Sequence, residues 1–334
     1  MKKILLLLIL FVFISIKIEG NDSVSAESAV LMEADSKRVL YEKNIHQSYL
    51  TASIAKIMTA IVAIENGDLN SYCKVDEKTT LQVGSSLYLQ LNDQIKLIDL
   101  IYGLMLRSGN DAAYLIAISV AGSVEEFVIM MNNKAKELKM VDSVFNNPSG
   151  LDEESYNYSS AYDMALLMSY AINNSDFKKI TGTKQYRCKT YNDNYYVFDN
   201  KHRLVQTDDS VIGGKTGYTQ LAKRTLVTAF EKDGMRLIVV TFIGSNDFNI
   251  HKNLSKYGYE NYRMIKVLNS GIIDIFQYPI TPIIYRDIKY PVHTDEELEC
   301  QIHMLNNPKE ALIGKIYLYI NKKVVSTTNV YRYY

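Results

Sequence analysis

The stretch from residue 224 to residue 243 constrains the fold more than any other. Residues 224–230, the turn Lys232-Asp233-Gly234 and residues 236–243 read as a β-hairpin. The second strand carries Leu237-Ile238-Val239-Val240 with no polar interruption, the pattern of a strand buried on both faces. Near the other end of the chain, residues 29–33 and 38–41 flank Asp35-Ser36 as a strand, a turn and a strand. Helical patterns fill the interval. Residues 53–65 form an apolar run stopped by Gly67, and residues 98–106 and 112–120 form two more, broken by Ser108-Gly109-Asn110. Ser123-Val124-Glu125-Glu126 has the capping-box form and opens a helix to about residue 139, and residues 161–171 form another. Residues 173–179 read as a loop. Strands at both ends with helices between them indicate an α+β domain whose terminal strands share one antiparallel sheet.

Beyond about Ser270 the helical pattern stops. Pro279, Pro282 and Pro291 separate short β-rich runs, and residues 315–320 and 324–330 make a last hairpin around Asn321-Lys322-Lys323. At the amino end, Met1-Lys2-Lys3 precedes an apolar run over residues 4–18, too short for a comfortable bilayer span of about 20 residues. Small residues follow at Val24-Ser25-Ala26, so residues 1–26 read as a cleaved signal peptide and the chain as exported. The expected organisation is therefore 1–26 signal, 27–270 catalytic domain and 271–334 small β domain.

With 37 basic and 37 acidic side chains the formal charge is zero, which gives no general electrostatic grip on nucleic acid or anionic lipid. Membrane contact is expected only if the amino-terminal segment is retained. Cys73, Cys188 and Cys300 are too few and too far apart for a disulfide framework or a metal pair. His46, His202, His251, His293 and His303 never approach ligand spacing, so neither a metal nor another cofactor is expected.

Three short pieces carry the chemistry. In Ser53-Ile54-Ala55-Lys56 the i and i+3 side chains share one helix face, which puts Lys56 beside the Ser53 hydroxyl. Apolar neighbours Ala55, Ile57 and Met58 disfavour the ammonium form, and a neutral amine is the base a serine nucleophile needs. The helix start adds free N–H groups that favour negative charge. Ser108-Gly109-Asn110 offers a tight turn at glycine and two polar side chains for a cleft, Ser108 to relay a proton and Asn110 to bind a substrate amide. Gly213-Gly214-Lys215-Thr216-Gly217 precedes the hairpin as an edge strand whose glycines admit another backbone, with Lys215 and Thr216 suited to a terminal carboxylate. The same Ser-x-x-Lys spacing occurs at Ser71 and Ser175, in polar stretches.

All three pieces in this order, 55 and then 107 residues apart, resemble the active-site serine penicillin-recognising enzymes. Further stretches narrow the resemblance to the low-molecular-mass D-alanyl-D-alanine carboxypeptidases: Gly103-Leu104-Met105-Leu106-Arg107 before Ser108, Asn147-Pro148-Ser149-Gly150-Leu151, Ser159-Ser160-Ala161-Tyr162-Asp163 and Lys215-Thr216-Gly217-Tyr218-Thr219. The likeness covers about residues 28 to 265. It implies a serine transpeptidase-like domain, an antiparallel sheet with a helical cluster. It places the nucleophile on Ser53, the base on Lys56, the proton relay on Ser108 and Asn110, and substrate binding on Lys215, Thr216, Gly217 and Tyr218. The oxyanion hole falls on the backbone N–H groups of Ser53 and Tyr218. The implied partner is a peptidoglycan stem peptide ending in D-Ala-D-Ala, with β-lactams as covalent inhibitors. Ala222-Lys223-Arg224 departs from the family in lacking a glycine after the alanine, Ile54-Ala55 replaces the common Leu-Thr, and Tyr156-Asn157-Tyr158 lacks a histidine often seen there. The chain's end shows no amphipathic membrane helix. A β-lactamase and a non-catalytic wall-binding or penicillin-sensing protein are the alternatives. Against the first, no Glu-x-x-Leu-Asn lies between Asn110 and Lys215.

Overall fold

The computed structural model describes residues 24–334 apart from 154, 307 and 309. The expected signal peptide therefore lies, except for its last three residues, outside the described residues. The chain forms two compact units, one ending at Gly258 and one spanning Tyr259–Tyr334, whereas the sequence placed the division after residue 270.

The first unit opens with β1 (Ser28–Glu33) and β2 (Val39–Lys43), joined across the expected turn. A short β3 (Tyr49–Leu50) leads through a single 3-10 turn, Ala52–Ala55, into α1 (Lys56–Asn66). That helix is buried from Lys56 through Ala63, as a segment apolar on every side must be. After β4 (Tyr72–Lys74), α2 (Glu77–Thr80) and β5 (Gln94–Lys96) come α3 (Leu97–Arg107), α4 (Asn110–Ala121) and α5 (Val124–Glu137). The expected cap of α5 is present: Ser123 Oγ accepts from Glu126 N at 3.1 Å. Ser160 caps α6 (Ala161–Ala171), which follows β6 (Tyr158–Ser159), in the same way.

The expected loop at residues 173–179 is instead the start of α7 (Ser175–Gly182). Asn174 Oδ1 accepts from both Asp176 N and Phe177 N, and Phe177 and Ile180 are buried. The polar run at 173–176 is thus a helix cap and first turn. A hairpin, β7 (Gln185–Lys189) and β8 (Tyr195–Asp199), and the short α8 (Arg203–Thr207) were not foreseen. Last come β9 (Val211–Thr219), β10 (Lys223–Lys232), β11 (Met235–Phe242) and α9 (Asp247–Asn261).

The sheet order is β2-β1-β11-β10-β9. The continuously apolar strand β11 lies between β1 and β10, with Val240 opposite Val30 on one side and Val227 on the other. Its hairpin turns on Asp233 and Gly234, both at positive φ (51° and 75°), which suits a two-residue turn. One core joins α1, α3, α4 and α6 to the sheet through Ile57, Leu104, Ile116, Met164 and Val240. β9 is the edge strand, and at Gly214 its outer backbone is taken by Thr181 of α7, whose Oγ1 donates to Gly214 O at 2.9 Å and accepts from Gly214 N at 3.0 Å.

The second unit is built from strands after the end of α9. β12 (Tyr262–Leu268) pairs with β15 (Ile288–His293). A second sheet has the order β13-β14-β18-β17-β16, from β13 (Gly271–Ile272), β14 (Pro282–Ile284), β16 (Leu298–Met304), β17 (Leu312–Ile320) and β18 (Lys323–Arg332). The last hairpin turns at Asn321 and Lys322, both at positive φ, so the expected β character holds. Its core includes Ile284, Ile316, Leu318 and Val330. Among the described residues no single helix is long and apolar enough to cross a membrane.

Candidate active site

Ser53 does not open an α-helix directly, as the sequence suggested. It stands second in the 3-10 turn before α1, just after Ala52, whose φ of 47° is left-handed. The chain bends there to enter the helix from β3, and Gly150 packs under the bend. A Cβ on Gly150 would lie 1.9 Å from Ala52 O, and its own φ is 74°, so only glycine fits.

Lys56, one helical step on, is fully buried. Its Nζ lies 3.1 Å from Ser53 Oγ, 2.8 Å from Asn110 Oδ1 and 2.5 Å from Ser149 O. Burial first, then the charges of Lys215 and Lys201, holds its pKa well below the ordinary lysine value, with Asp111 opposing. The amine is therefore placed and tuned to accept a proton from Ser53. The Ser149 carbonyl was not singled out by the sequence as a partner. Its only signal was the family-like stretch Asn147-Pro148-Ser149-Gly150-Leu151.

Asn110 joins the same cluster, and Ser108 stands two residues before it at the junction of α3 and α4, with a different turn from the expected one. The left-handed residue is Ser108 itself (φ 68°), while Gly109 is extended (φ −60°, ψ 124°). Leu87 leaves no room at Gly109: a Cβ there would sit 2.6 Å from Leu87 Cγ. Close packing explains the glycine, and αL geometry falls on the neighbouring serine. Ser108 Oγ is buried with no partner among the described residues. Asn110 Oδ1 accepts from Lys56 Nζ, and its Nδ2 donates to Val83 O at 2.7 Å. Asp111 holds the same loop, accepting from Ser86 Oγ at 2.6 Å and Leu87 N at 2.9 Å.

On the opposite wall β9 carries Lys215, buried, with Nζ 2.9 Å from Thr216 O. Burial and the nearby Lys201 charge lower its pKa to about 7. Lys201 itself is lowered by burial and Arg107, and no sequence signal had marked it. The glycines expected to admit a substrate backbone admit the protein's own groups: a Cβ on Gly214 would meet His202 Nε2 at 2.6 Å. A Cβ on Gly217 would lie 3.0 Å from Ser53 N, so β9 runs beside the serine. A cleft of about 450 Å³ is lined by Ser53, Asn110, Gly150, Asp152 and Tyr218 among others, whereas Lys56, Ser108, Lys215 and Thr216 are not in its lining. Thr219 Oγ1 donates to Asp152 Oδ2 at 2.6 Å and ties its two walls together.

This architecture is that of penicillin-binding serine peptidases. Penicillin-binding protein 5 of Haemophilus influenzae superposes with a TM-score of 0.81 over 94% of this chain and 98% of that one, at 24% identity, a likeness of fold. The DD-transpeptidase of Streptomyces K15, in a serine-to-alanine mutant form, matches with a TM-score of 0.68 at 27% identity over 72% of this chain and 100% of that one. A family profile described as D-alanyl-D-alanine carboxypeptidase matches residues 15–246, and the chain belongs to that family. The D-alanyl-D-alanine carboxypeptidase DacF of Bacillus subtilis is 38% identical over 222 residues, 65% of this chain and 57% of that protein. DacA of Haemophilus influenzae is 30% identical over 74% of this chain and 65% of its own length. The chain thus spans less than two thirds of the length of these two relatives.

Proposed function

We propose that the protein is an exported serine D,D-carboxypeptidase that removes the terminal D-alanine from peptidoglycan stem peptides. The observation that carries this reading is the buried Lys56 amine 3.1 Å from Ser53 Oγ. The names of the relatives support the substrate class.

In the proposed reaction the terminal carboxylate binds at Lys215 and Thr216, on the edge strand that an extended peptide can join. Lys56 takes the Ser53 proton as Oγ adds to the penultimate D-Ala carbonyl carbon. The backbone N–H groups of Ser53 and Tyr218 receive the oxyanion, each such donor being worth about 10²–10³ in rate. The C–N bond then breaks, and the proton passes through Ser108 to the amine of the leaving D-Ala. Water hydrolyses the ester and restores Ser53. Asn110 orients Lys56 through its Oδ1 in this scheme. Gly217 lets β9 run close to the serine.

A β-lactam imitates the terminal dipeptide and acylates the same serine, a reading supported by the penicillin-binding name of the Haemophilus structure. A non-catalytic binder has no use for a desolvated lysine hydrogen-bonded to a serine. The test is D-Ala release from a diacetyl-Lys-D-Ala-D-Ala peptide by the purified protein. No release above the rate of the Ser53→Ala variant overturns the proposal.

A further inference from the structure

Behind β9, away from the cleft, two buried histidines and two threonines form one chain. His202 Nε2 lies 2.9 Å from Thr228 Oγ1, and the same oxygen lies 2.7 Å from His251 Nδ1. His251 Nε2 is 3.0 Å from Thr241 Oγ1. These link α9, β11, β10 and the segment entering α8. The backbone of His202 is fixed in turn, since its N–H donates to Asn200 Oδ1 at 2.9 Å and Asn200 Nδ2 donates to Thr181 O and Thr183 O.

The imidazole touches the substrate-binding strand through a residue with no side chain. Gly214 pairs with Thr228 across β9 and β10, and the place of its missing Cβ is 2.6 Å from His202 Nε2. The next residue is Lys215. We propose that His202 is a positioning residue for substrate binding: held by Thr228 and pressed on Gly214, it sets the place of β9 and hence of Lys215 and Thr216. This rests on the reading of Lys215 as the carboxylate-binding group.

Proton counting limits the direction of the chain. Thr228 has one hydroxyl proton and two acceptor lone pairs, so at most one of the two imidazoles it touches can accept from it. His202 Nδ1 is buried and without a partner among the described residues. A buried N–H with no acceptor is rarely tolerated, so the bare lone pair belongs at Nδ1 and the proton at Nε2. His202 Nε2–H then donates to Thr228 Oγ1, and where the Thr228 proton is given to His251 Nδ1 at 2.7 Å, His251 Nε2 donates to Thr241. Both rings are neutral, because burial lowers His202 to about 4 and His251 well below the usual histidine value. Burial prevails over hydrogen bonding to the Val227 backbone and to the residue's own backbone, which oppose it, while Lys215 on β9 adds positive charge that favours the neutral ring; His251 faces it from α9. The Phe248 ring meets His202 edge-on, with Arg203 and Arg224 over that ring and Asp247 paired to Arg224.

The test compares His202→Ala, His202→Gln and Thr228→Val in the full protein. Glutamine can present an amide N–H near the place of Nε2, whereas valine removes the threonine hydroxyl at nearly constant shape. The first and third variants should raise KM for a peptide with a free terminal carboxylate about tenfold and leave kcat within twofold. His202→Gln should restore most of the loss. Equal KM values in folded variants, or a fall in kcat with KM unchanged, overturn the proposal. If His202→Ala fails to fold, Thr228→Val carries the comparison. Imidazole ¹⁵N shifts of the wild type should report the Nε2–H tautomer at His202, and the opposite tautomer overturns the assignment. If the wild type releases no D-Ala, the functional reading fails by itself. The Lys215 amine titration, followed by NMR in the wild type and Thr228→Val, then decides for His202: a shift supports positioning and identical titrations overturn it.

Discussion

Asn110 Oδ1 accepts a hydrogen bond from Lys56 Nζ at 2.8 Å, and that bond orients the only amine within reach of the Ser53 hydroxyl among the described contacts. With Ser149 O at 2.5 Å, the lysine has acceptors that fix its position, while burial disfavours its charged form and holds its pKa well below the ordinary lysine value. In the proposed reaction, base and nucleophile are therefore aligned before any substrate arrives.

From this alignment, Ser53→Ala should abolish covalent labelling by a fluorescent penicillin and leave the fold intact. Lys56→Ala should slow acylation about 10²–10⁴-fold, the range of general-base catalysis, with non-covalent binding retained. Stopped-flow acylation over a range of penicillin concentrations separates the two quantities. If Lys56→Ala changed only affinity at an unchanged limiting rate, another group would be the base.

The groups of this site were legible in the sequence because they are local: Ser53 and Lys56 share one helical step, and Lys215-Thr216-Gly217 is continuous. What escaped was long-range or conformational. The Ser149 carbonyl is a backbone group and leaves no mark of its own at a residue identity. Lys201 reaches the site from the loop after β8, where surrounding residues show no periodicity. The left-handed turn fell on Ser108 and not on Gly109 because Leu87, distant in sequence, occupies the space beside the glycine. The sheet was read correctly because β11 is apolar without interruption. The hairpin β7–β8 was missed because its outward residues, such as Tyr195 and Val197, are themselves apolar and blur the alternation.

Lys215 gives the pH dependence. Its pKa is lowered to about 7 by burial and by Lys201, so the free protein loses the charge proposed to bind the carboxylate as pH rises through that value. The quantity kcat/KM should therefore fall on the alkaline side from about pH 7. Bound carboxylate favours the ammonium form and raises this pKa, so the same limb in kcat should lie at higher pH. Lys215→Arg, which keeps its charge throughout, should lose the limb. A limb that stays at the same pH in this variant assigns it to another group.

Lys223 occupies the position where the family has glycine, and its φ of 57° is left-handed. Such a conformation costs a side-chain-bearing residue about 1–2 kcal/mol, and glycine gives back roughly 0.5–1 kcal/mol through its unfolded-state entropy. Lys223→Gly should then stabilise the protein by up to about 1 kcal/mol, against the usual direction of a glycine substitution. Urea unfolding with an unchanged m-value measures it, and a lower midpoint refutes the account.

Gly150→Ala should do the reverse. The added Cβ meets Ala52 O, backbone against backbone, at a glycine with φ 74°. Strain of this kind costs about 1–3 kcal/mol for the dihedral alone. Since Ala52 precedes Ser53 and Ser149 O binds Lys56, acylation should fall together with stability. Unchanged acylation in a destabilised variant would mean that the turn carrying Ser53 does not depend on this contact.

A cleavage site after Ala26, as the sequence leads us to expect, would be accessible only before the first unit folds. Ala26 is buried, Ser25 O accepts from Ser245 N at 3.2 Å, Glu27 N donates to Phe242 O at 3.1 Å, and Lys43 Nζ donates to Val24 O at 3.0 Å. A peptidase needs residues 24–27 extended and free, which these contacts deny in the folded unit. Cleavage after Ala26 should therefore occur during export, and the secreted protein should begin at Glu27. The bond Glu27 N–H to Phe242 O can persist in the product, so loss of residues 24–26 should lower stability only slightly. Purified full-length protein, once folded, should resist signal peptidase in detergent, and the same chain should be cut after unfolding and dilution. Amino-terminal sequencing of the secreted and membrane fractions checks the site. A dominant membrane-bound species beginning at Met1 would show that the segment is retained as a tether, and rapid cleavage of the folded chain would show that residues 24–27 leave the sheet readily.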